Sequence, residues 1–213
     1  MRRPARTDYV YNEYVKDFYR KIEDYDWNEV TDNWRGLESL LHRYRERRIK
    51  QLIGRFGRGD KYLDVGCGTG LMLRHLPAGS VGIDINPRHL KRAKKYVPES
   101  ELRQGDAEQL EFPDDFFSTV ICTEVLEHLV DSDKAVGEIK RVLRPEGVFI
   151  GSVPARSLLW RFRFLSSTHY HNEPFHNEYV KKEIRQLLSP FKLVLLKTGF
   201  LSSSFFFVGR KGG

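Results

Sequence analysis

Residues 64–70, Asp-Val-Gly-Cys-Gly-Thr-Gly, place three glycines at alternate positions behind an acid. A glycine has no Cβ, so the backbone at Gly66, Gly68 and Gly70 can turn sharply and let a ligand lie against it. An apolar run precedes this loop and a helical pattern follows, so free N–H groups at a helix start point into the same place. Such loops serve many ligands, and the spacing separates them. A dinucleotide fingerprint needs a third glycine where Leu71 stands, and a Walker loop needs a Gly-Lys-Ser/Thr tripeptide that the chain lacks. Asp64 would repel a pyrophosphate. It would suit a ligand bearing an ammonium group.

Two further acids extend the pattern. Asp84 ends the next apolar run, and an acid at such a tip can accept both hydroxyls of a ribose. Asp106, in Gly105-Asp106-Ala107, follows a third run and could accept from an adenine amino group. Three carboxylates at adjacent strand tips around a bare loop describe a seat for a cationic nucleoside. Singly, each acid reads equally well as a helix cap or turn former.

The elements that must hold these residues follow from periodicity. From residue 61 short apolar runs, at 61–65, 80–85, 101–104, 117–123 and 147–153, alternate with helical stretches at 71–76, 87–97 and 132–143. Alternation at this spacing predicts a parallel sheet with helices on both faces. Asp131 or Ser132 is available to cap the last of those helices. Beyond a loop-like stretch, 154–177, a helix is expected at 178–188. Runs 192–200 and 204–210 then form a closing strand pair, antiparallel because the turn between them is too short for a crossover. Upstream, apolar positions from Leu37 to Phe56 recur at helical spacing and predict a helix over 34–56, and 8–25 predicts one or two short helices. The division expected is an N-terminal helical lid or cap, 1–58, and an α/β domain, 59–213, with 154–177 as an insertion on the acceptor side.

Asp64–Gly70, Asp84, Gly105-Asp106-Ala107, Leu110-Glu111-Phe112-Pro113-Asp114-Asp115, Glu124-Val125-Leu126-Glu127-His128-Leu129 and Leu143-Arg144-Pro145-Glu146-Gly147 occur in this order. Together they resemble the class I S-adenosylmethionine-dependent methyltransferases, in particular the small-molecule group that includes quinone and lipid enzymes. The resemblance spans about 45–210. It implies a doubly wound seven-stranded sheet in the order 3-2-1-4-5-7-6 with strand 7 antiparallel. It also implies S-adenosyl-L-methionine as cofactor and S-adenosyl-L-homocysteine as product. Asp64 and the Gly66–Gly70 backbone, Cys67 included, would then hold the methionine part and Asp84 the ribose. Ile85 would pack on the adenine, Asp106 and Ala107 would meet its edge, and Thr123 would lend backbone near the sulfonium. Where relatives often carry an acid before strand 4, this chain has Ser118.

The acceptor side is less determined. A base is required only if the acceptor arrives protonated, and His128, His169 and His171 are the candidates. The imidazoles and carboxylate between His169 and His176 could ligate a metal, but methyl transfer needs none unless a catechol-like acceptor must be chelated, so the run reads rather as pocket, surface or capping residues, with His176 placed to cap the following helix. Residues 157–165 alternate bulky apolar side chains with arginine and could contact a membrane surface or pack on the sheet edge. Tyr9, Tyr11, Tyr14, Tyr19 and Tyr25 form a lid or a plain helical cap. The net charge of +7 resides in 151–213, which fits an anionic partner or a solvated face. No RNA-binding or zinc spacing supports nucleic acid. Cys67 and Cys122 make no disulfide framework, and no signal-like or spanning segment is apparent, so a small-molecule enzyme of the cytoplasm is expected. A non-catalytic cofactor-fold module and, less well, a nucleotide-dependent oxidoreductase are the rivals.

Overall fold

The computed structural model describes residues 9–22, 26–33, 36–156 and 174–213. Three helices come first: α1 (Tyr9–Lys21), α2 (Trp27–Asp32) and α3 (Gly36–Phe56). Strands β1 (Tyr62–Val65), β2 (Val81–Asp84), β3 (Glu101–Gln104), β4 (Phe117–Thr123), β5 (Leu143–Pro154), β6 (Lys192–Thr198) and β7 (Ser204–Arg210) form one sheet. Its order is β3-β2-β1-β4-β5-β7-β6, as the resemblance implies. The first five strands pair in parallel and β7 runs antiparallel to both neighbours. A single short turn, Phe200–Ser202, joins β6 to β7, too little chain for a parallel crossover.

Strand alternation builds a core on each face. Val120 and Cys122 of β4 point to the layer that holds Ala135, Val136 and Ile139 of α5 (Ser132–Val142). Ile121, between them, points the other way, to Ile49 and Leu52 of α3. Each fully buried valine or isoleucine among them contributes about 1.5–3 kcal/mol by leaving water. Helix α3 therefore shares a core with the sheet.

Local chemistry sets the helix starts. Asp131, the expected cap, accepts from Lys134 N at 3.0 Å. Asn86 accepts from Arg88 N at 3.0 Å and caps α4 (Pro87–Tyr96), with proline at the first position, where its missing N–H costs nothing. Several bounds differ from the pattern. The helix expected at 71–76 is a 3₁₀ turn, Leu73–His75, and the last helix, α6 (Lys181–Leu187), starts later than expected. Helix α2 had no periodicity to announce it; Asp26 makes it, accepting from Asn28 N and Glu29 N. Ser118 closes the local turn that an acid would otherwise hold, donating to Lys61 O at 2.8 Å and accepting from Lys61 N at 3.1 Å. Among the described residues no helix is long and apolar enough to cross a membrane.

Candidate functional site

The strand order reverses between β1 and β4, and ligands of open α/β sheets bind at the carboxyl ends of strands beside such a reversal. A cavity of about 210 Å³ lies there. Asp64, Gly66, Cys67, Gly68, Asp84, Ile85, Asp106, Ala107, Thr123 and His128 all border it, so tips of four strands converge. Gly70 does not border it. A Cβ on Gly70 would instead meet Val97 and Ala93, so this glycine lets the loop pack beneath α4 rather than against a ligand.

The first two glycines of the loop are demanded by geometry. Gly66 has φ +70° and a Cβ there would stand 2.3 Å from Val125 Cγ2. Gly68 has φ +53° and its Cβ would crowd the Trp27 ring at 3.2 Å. Both values lie in the left-handed region that side chains resist.

Two carboxyl groups, Asp64 and Asp84, stand close together beside the glycine loop. Asp64 is 2% exposed, and its Oδ2 is buried with no hydrogen-bond partner. Burial, and then the charge of Asp84, push its carboxyl up to about 8, while a backbone contact from Leu73 works the other way. Asp84 accepts from Gly68 N at 2.9 Å and from Asn86 N at 2.8 Å, which fixes its carboxylate at the cavity wall. Burial, followed by the nearby Asp64 and Asp84, also pushes the Cys67 thiol well up, so Cys67 is a packed thiol and no nucleophile.

The predicted adenine-side acid has a partner that the sequence did not reveal. Lys16 of α1 reaches Asp106 Oδ2 at 2.7 Å and Glu108 Oε2 at 2.9 Å. Burial works against its charge, but the two carboxylates prevail and raise it above the ordinary lysine value. Glu108, 1% exposed, also accepts from Asn12 Nδ2 at 2.8 Å. Helix α1 is thus fastened to the carboxylates of the cavity. Its other end is held by Asn86 Nδ2, which donates to Tyr19 O and Ile22 O at 3.1 and 2.9 Å.

Tyr19 and His128 both border the cavity, and the Tyr19 hydroxyl lies 2.9 Å from His128 Nδ1. The same hydroxyl donates to Phe175 O at 3.0 Å. His176 packs its ring edge-on to His128 at 5.1 Å, and the N-cap of α6 is Val180, not His176 as expected. His169, His171 and 157–165 fall outside the described residues. Glu124 follows β4 with φ 54°, its carboxylate held by Ser152 Oγ at 2.8 Å and Arg45 at 3.0 Å.

Asn12, Lys16, Trp27 and Glu108 line the cavity and escaped sequence reasoning, and Glu124, read there only as part of a family motif, lines it as well. They sit on elements with no ligand spacing of their own. Only the run of tyrosines hinted that the N-terminal segment covers a cavity.

The sheet order, the bare loop and the carboxylates at three neighbouring strand tips define a nucleoside-binding methyltransferase fold. Residues 63–151 match the family model described as a methyltransferase domain. The ubiquinone biosynthesis O-methyltransferase of Mesorhizobium japonicum is 30% identical over 146 residues, 59% of this chain and 59% of that protein. The phosphatidylethanolamine N-methyltransferase of Cereibacter sphaeroides is 39% identical over 99 residues, 42% of this chain and 48% of that one. The chain thus spans about half the length of these curated relatives. Among solved structures, the magnesium protoporphyrin IX methyltransferase of Synechocystis PCC 6803 with bound S-adenosylhomocysteine shares the fold. Its TM-score is 0.72 at 16% identity, covering 94% of this chain and 99% of that one. Residues 63–151 are thus similar to methyltransferase domains, and the chain as a whole has the class I methyltransferase fold.

Proposed function

We propose that the protein transfers the methyl group of S-adenosylmethionine to a small-molecule acceptor of the quinone or lipid kind, by in-line displacement. One observation carries the cofactor half: a buried carboxylate oxygen of Asp64, without a hydrogen-bond partner, faces a cavity ringed by Asp84 and a glycine backbone. A buried polar atom left unpaired costs about 1–3 kcal/mol, and a ligand ammonium would recover it. The residues present therefore fit the cofactor, with Asp64 for the amino group, Asp84 for the ribose, and Gly66 and Gly68 for close backbone approach. When bound, the cofactor supplies a methyl group on a sulfonium, already an activated electrophile.

The chain's own work is orientation and proton removal. Closing α1 over the cavity excludes water, and holding two reactants in line is a large share of such catalysis. For a protonated acceptor, His128 is the base. The Tyr19 hydroxyl has one proton, and the Phe175 carbonyl can only accept it. In that arrangement His128 Nδ1–H donates to the Tyr19 oxygen, and Nε2, 3.9 Å from Glu127 Oε1, is the nitrogen assigned to the acceptor proton. The acceptor class draws support from the two curated relatives, whose names specify ubiquinone biosynthesis and phosphatidylethanolamine.

Isothermal titration with S-adenosylmethionine, repeated on Asp84→Ala, tests the cofactor half. Loss of a charged acceptor should weaken binding by roughly 10- to 100-fold. Undiminished binding removes Asp84 from the site. Formation of S-adenosylhomocysteine with a panel of phenolic quinone precursors and lipid amines tests the acceptor half.

A further inference from the structure

We propose that Trp27, from the N-terminal cap and outside the segment that carries the family motifs, is a cofactor-binding residue that closes the site over the glycine loop. This rests on the cofactor assignment above and adds a residue to it. The indole borders the cavity together with Gly68, Asp84 and His89. Its six-membered ring lies 3.2 Å from the point where a Gly68 Cβ would be, so loop and indole touch only because position 68 is bare. His89 packs edge-to-face on the indole, with centroids 4.9 Å apart and an interplanar angle of 86°. The same imidazole has Nδ1 at 3.4 Å from Asp84 Oδ1.

The placement is built rather than incidental. Asp26 starts α2 immediately before Trp27 by accepting from Asn28 N at 3.0 Å and Glu29 N at 3.2 Å. Asn28, fully buried, then ties the helix to the loop, donating from Nδ2 to Thr69 O at 2.6 Å and to Thr69 Oγ1 at 3.2 Å. Cap, anchor and loop therefore hold the indole from both sides. Trp27 is still only half-buried, and part of its remaining surface faces a cavity lined by carboxylates. An aromatic surface beside acids suits an adenosine compound that carries positive charge. It offers stacking area to a ring and a negative face to a cation.

The test is titration of S-adenosylhomocysteine into the full chain, read by calorimetry and by tryptophan emission. Wild type should bind with a change in emission. Trp27→Leu should weaken binding about tenfold, the scale of a lost aromatic contact. Trp27→Phe, which keeps a ring, should stay within about threefold of wild type. In both variants the emission change should vanish, although Trp34 and Trp160 still emit. Wild-type affinity in the leucine variant, or an emission change that survives in the phenylalanine variant, overturns the proposal and leaves the cofactor assignment intact. Failure of the wild type itself to bind S-adenosylhomocysteine overturns both. If the leucine variant does not fold, the phenylalanine variant decides by its emission.

Discussion

Asp84 sits two residues beyond Gly82, the register partner of Asp64 on the neighbouring strand, and its charge helps hold the proton on Asp64. Burial is the larger cause, and together they set the Asp64 carboxyl at about 8. Below that pH the site is protonated, and a cationic ligand must displace the proton. Affinity for S-adenosylhomocysteine should therefore rise from pH 6 to pH 8 by up to about tenfold per unit and then level off. Titration calorimetry in buffers of different ionisation enthalpy should show proton release below pH 8. Asp64→Asn should bind weakly with a flat profile. The stability sign is the reverse of the usual carboxylate case. A folded value above the unfolded one stabilises at low pH, and that contribution is lost as pH rises toward 8.

The Tyr19–His128 contact makes a separable prediction about rate. His128→Gln should lower kcat by about 10²-fold or more, the usual worth of a positioned base, with cofactor affinity unchanged. Tyr19→Phe should lower kcat by about tenfold and alter its pH profile, because the imidazole loses the partner that fixes its tautomer. A fall in cofactor affinity of equal size in either variant would place the pair on the wrong side of the cavity.

Gly66 is predicted to be intolerant of any side chain. A Cβ there would meet Val125 at 2.3 Å and would oppose a φ of +70°. Gly66→Ala should cost about 2 kcal/mol of stability from overpacking and strain, seen in urea unfolding, and should weaken cofactor binding as well. Gly137→Ala is the control, since open space surrounds that position within α5.

The cap is held to the domain by ions as well as by packing. Glu46 of α3 lies 2.6 Å from both Arg74 NH2 and His75 Nε2, and Arg74 also takes Asp32 of α2 bidentately. Burial alone would raise Glu46, but His75 and Arg74 hold its carboxyl below the ordinary value. A lowered carboxylate stabilises above its unfolded pKa, and that stability is lost as pH falls through the folded one. Thermal melting should show Glu46→Gln lowering Tm by on the order of 5 °C at neutral pH, with the gap closing on acidification.

Much of the fold was legible because it rests on short-range chemistry. Apolar runs placed β3, β4 and β7 with their observed bounds, and turn length alone made β6 and β7 antiparallel. Asp131 was readable as a cap because capping is local. What failed did so for an equally physical reason. The 71–76 pattern shortened to a 3₁₀ turn closed by Leu76 N–H to Leu73 O, and α2 escaped notice because six residues are too few to show a period. Among the glycines, spacing could not tell Gly66 and Gly68, which face the cavity, from Gly70, which faces α4.

The chain by itself determined the glycine bend, the acids at the ends of three apolar runs and the antiparallel pairing of the last two strands, because each is written in a handful of adjacent residues. Only the folded molecule decided what completes the site. Lys16, Tyr19 and Trp27 lie tens of residues before the motifs they meet, on helices whose patterns announce amphipathicity or nothing at all. Their roles come from long-range docking, in which Asn28 finds Thr69 and Lys16 finds Asp106. No spacing rule carries information across such a distance, since the contact exists only once the sheet has brought its strand tips together.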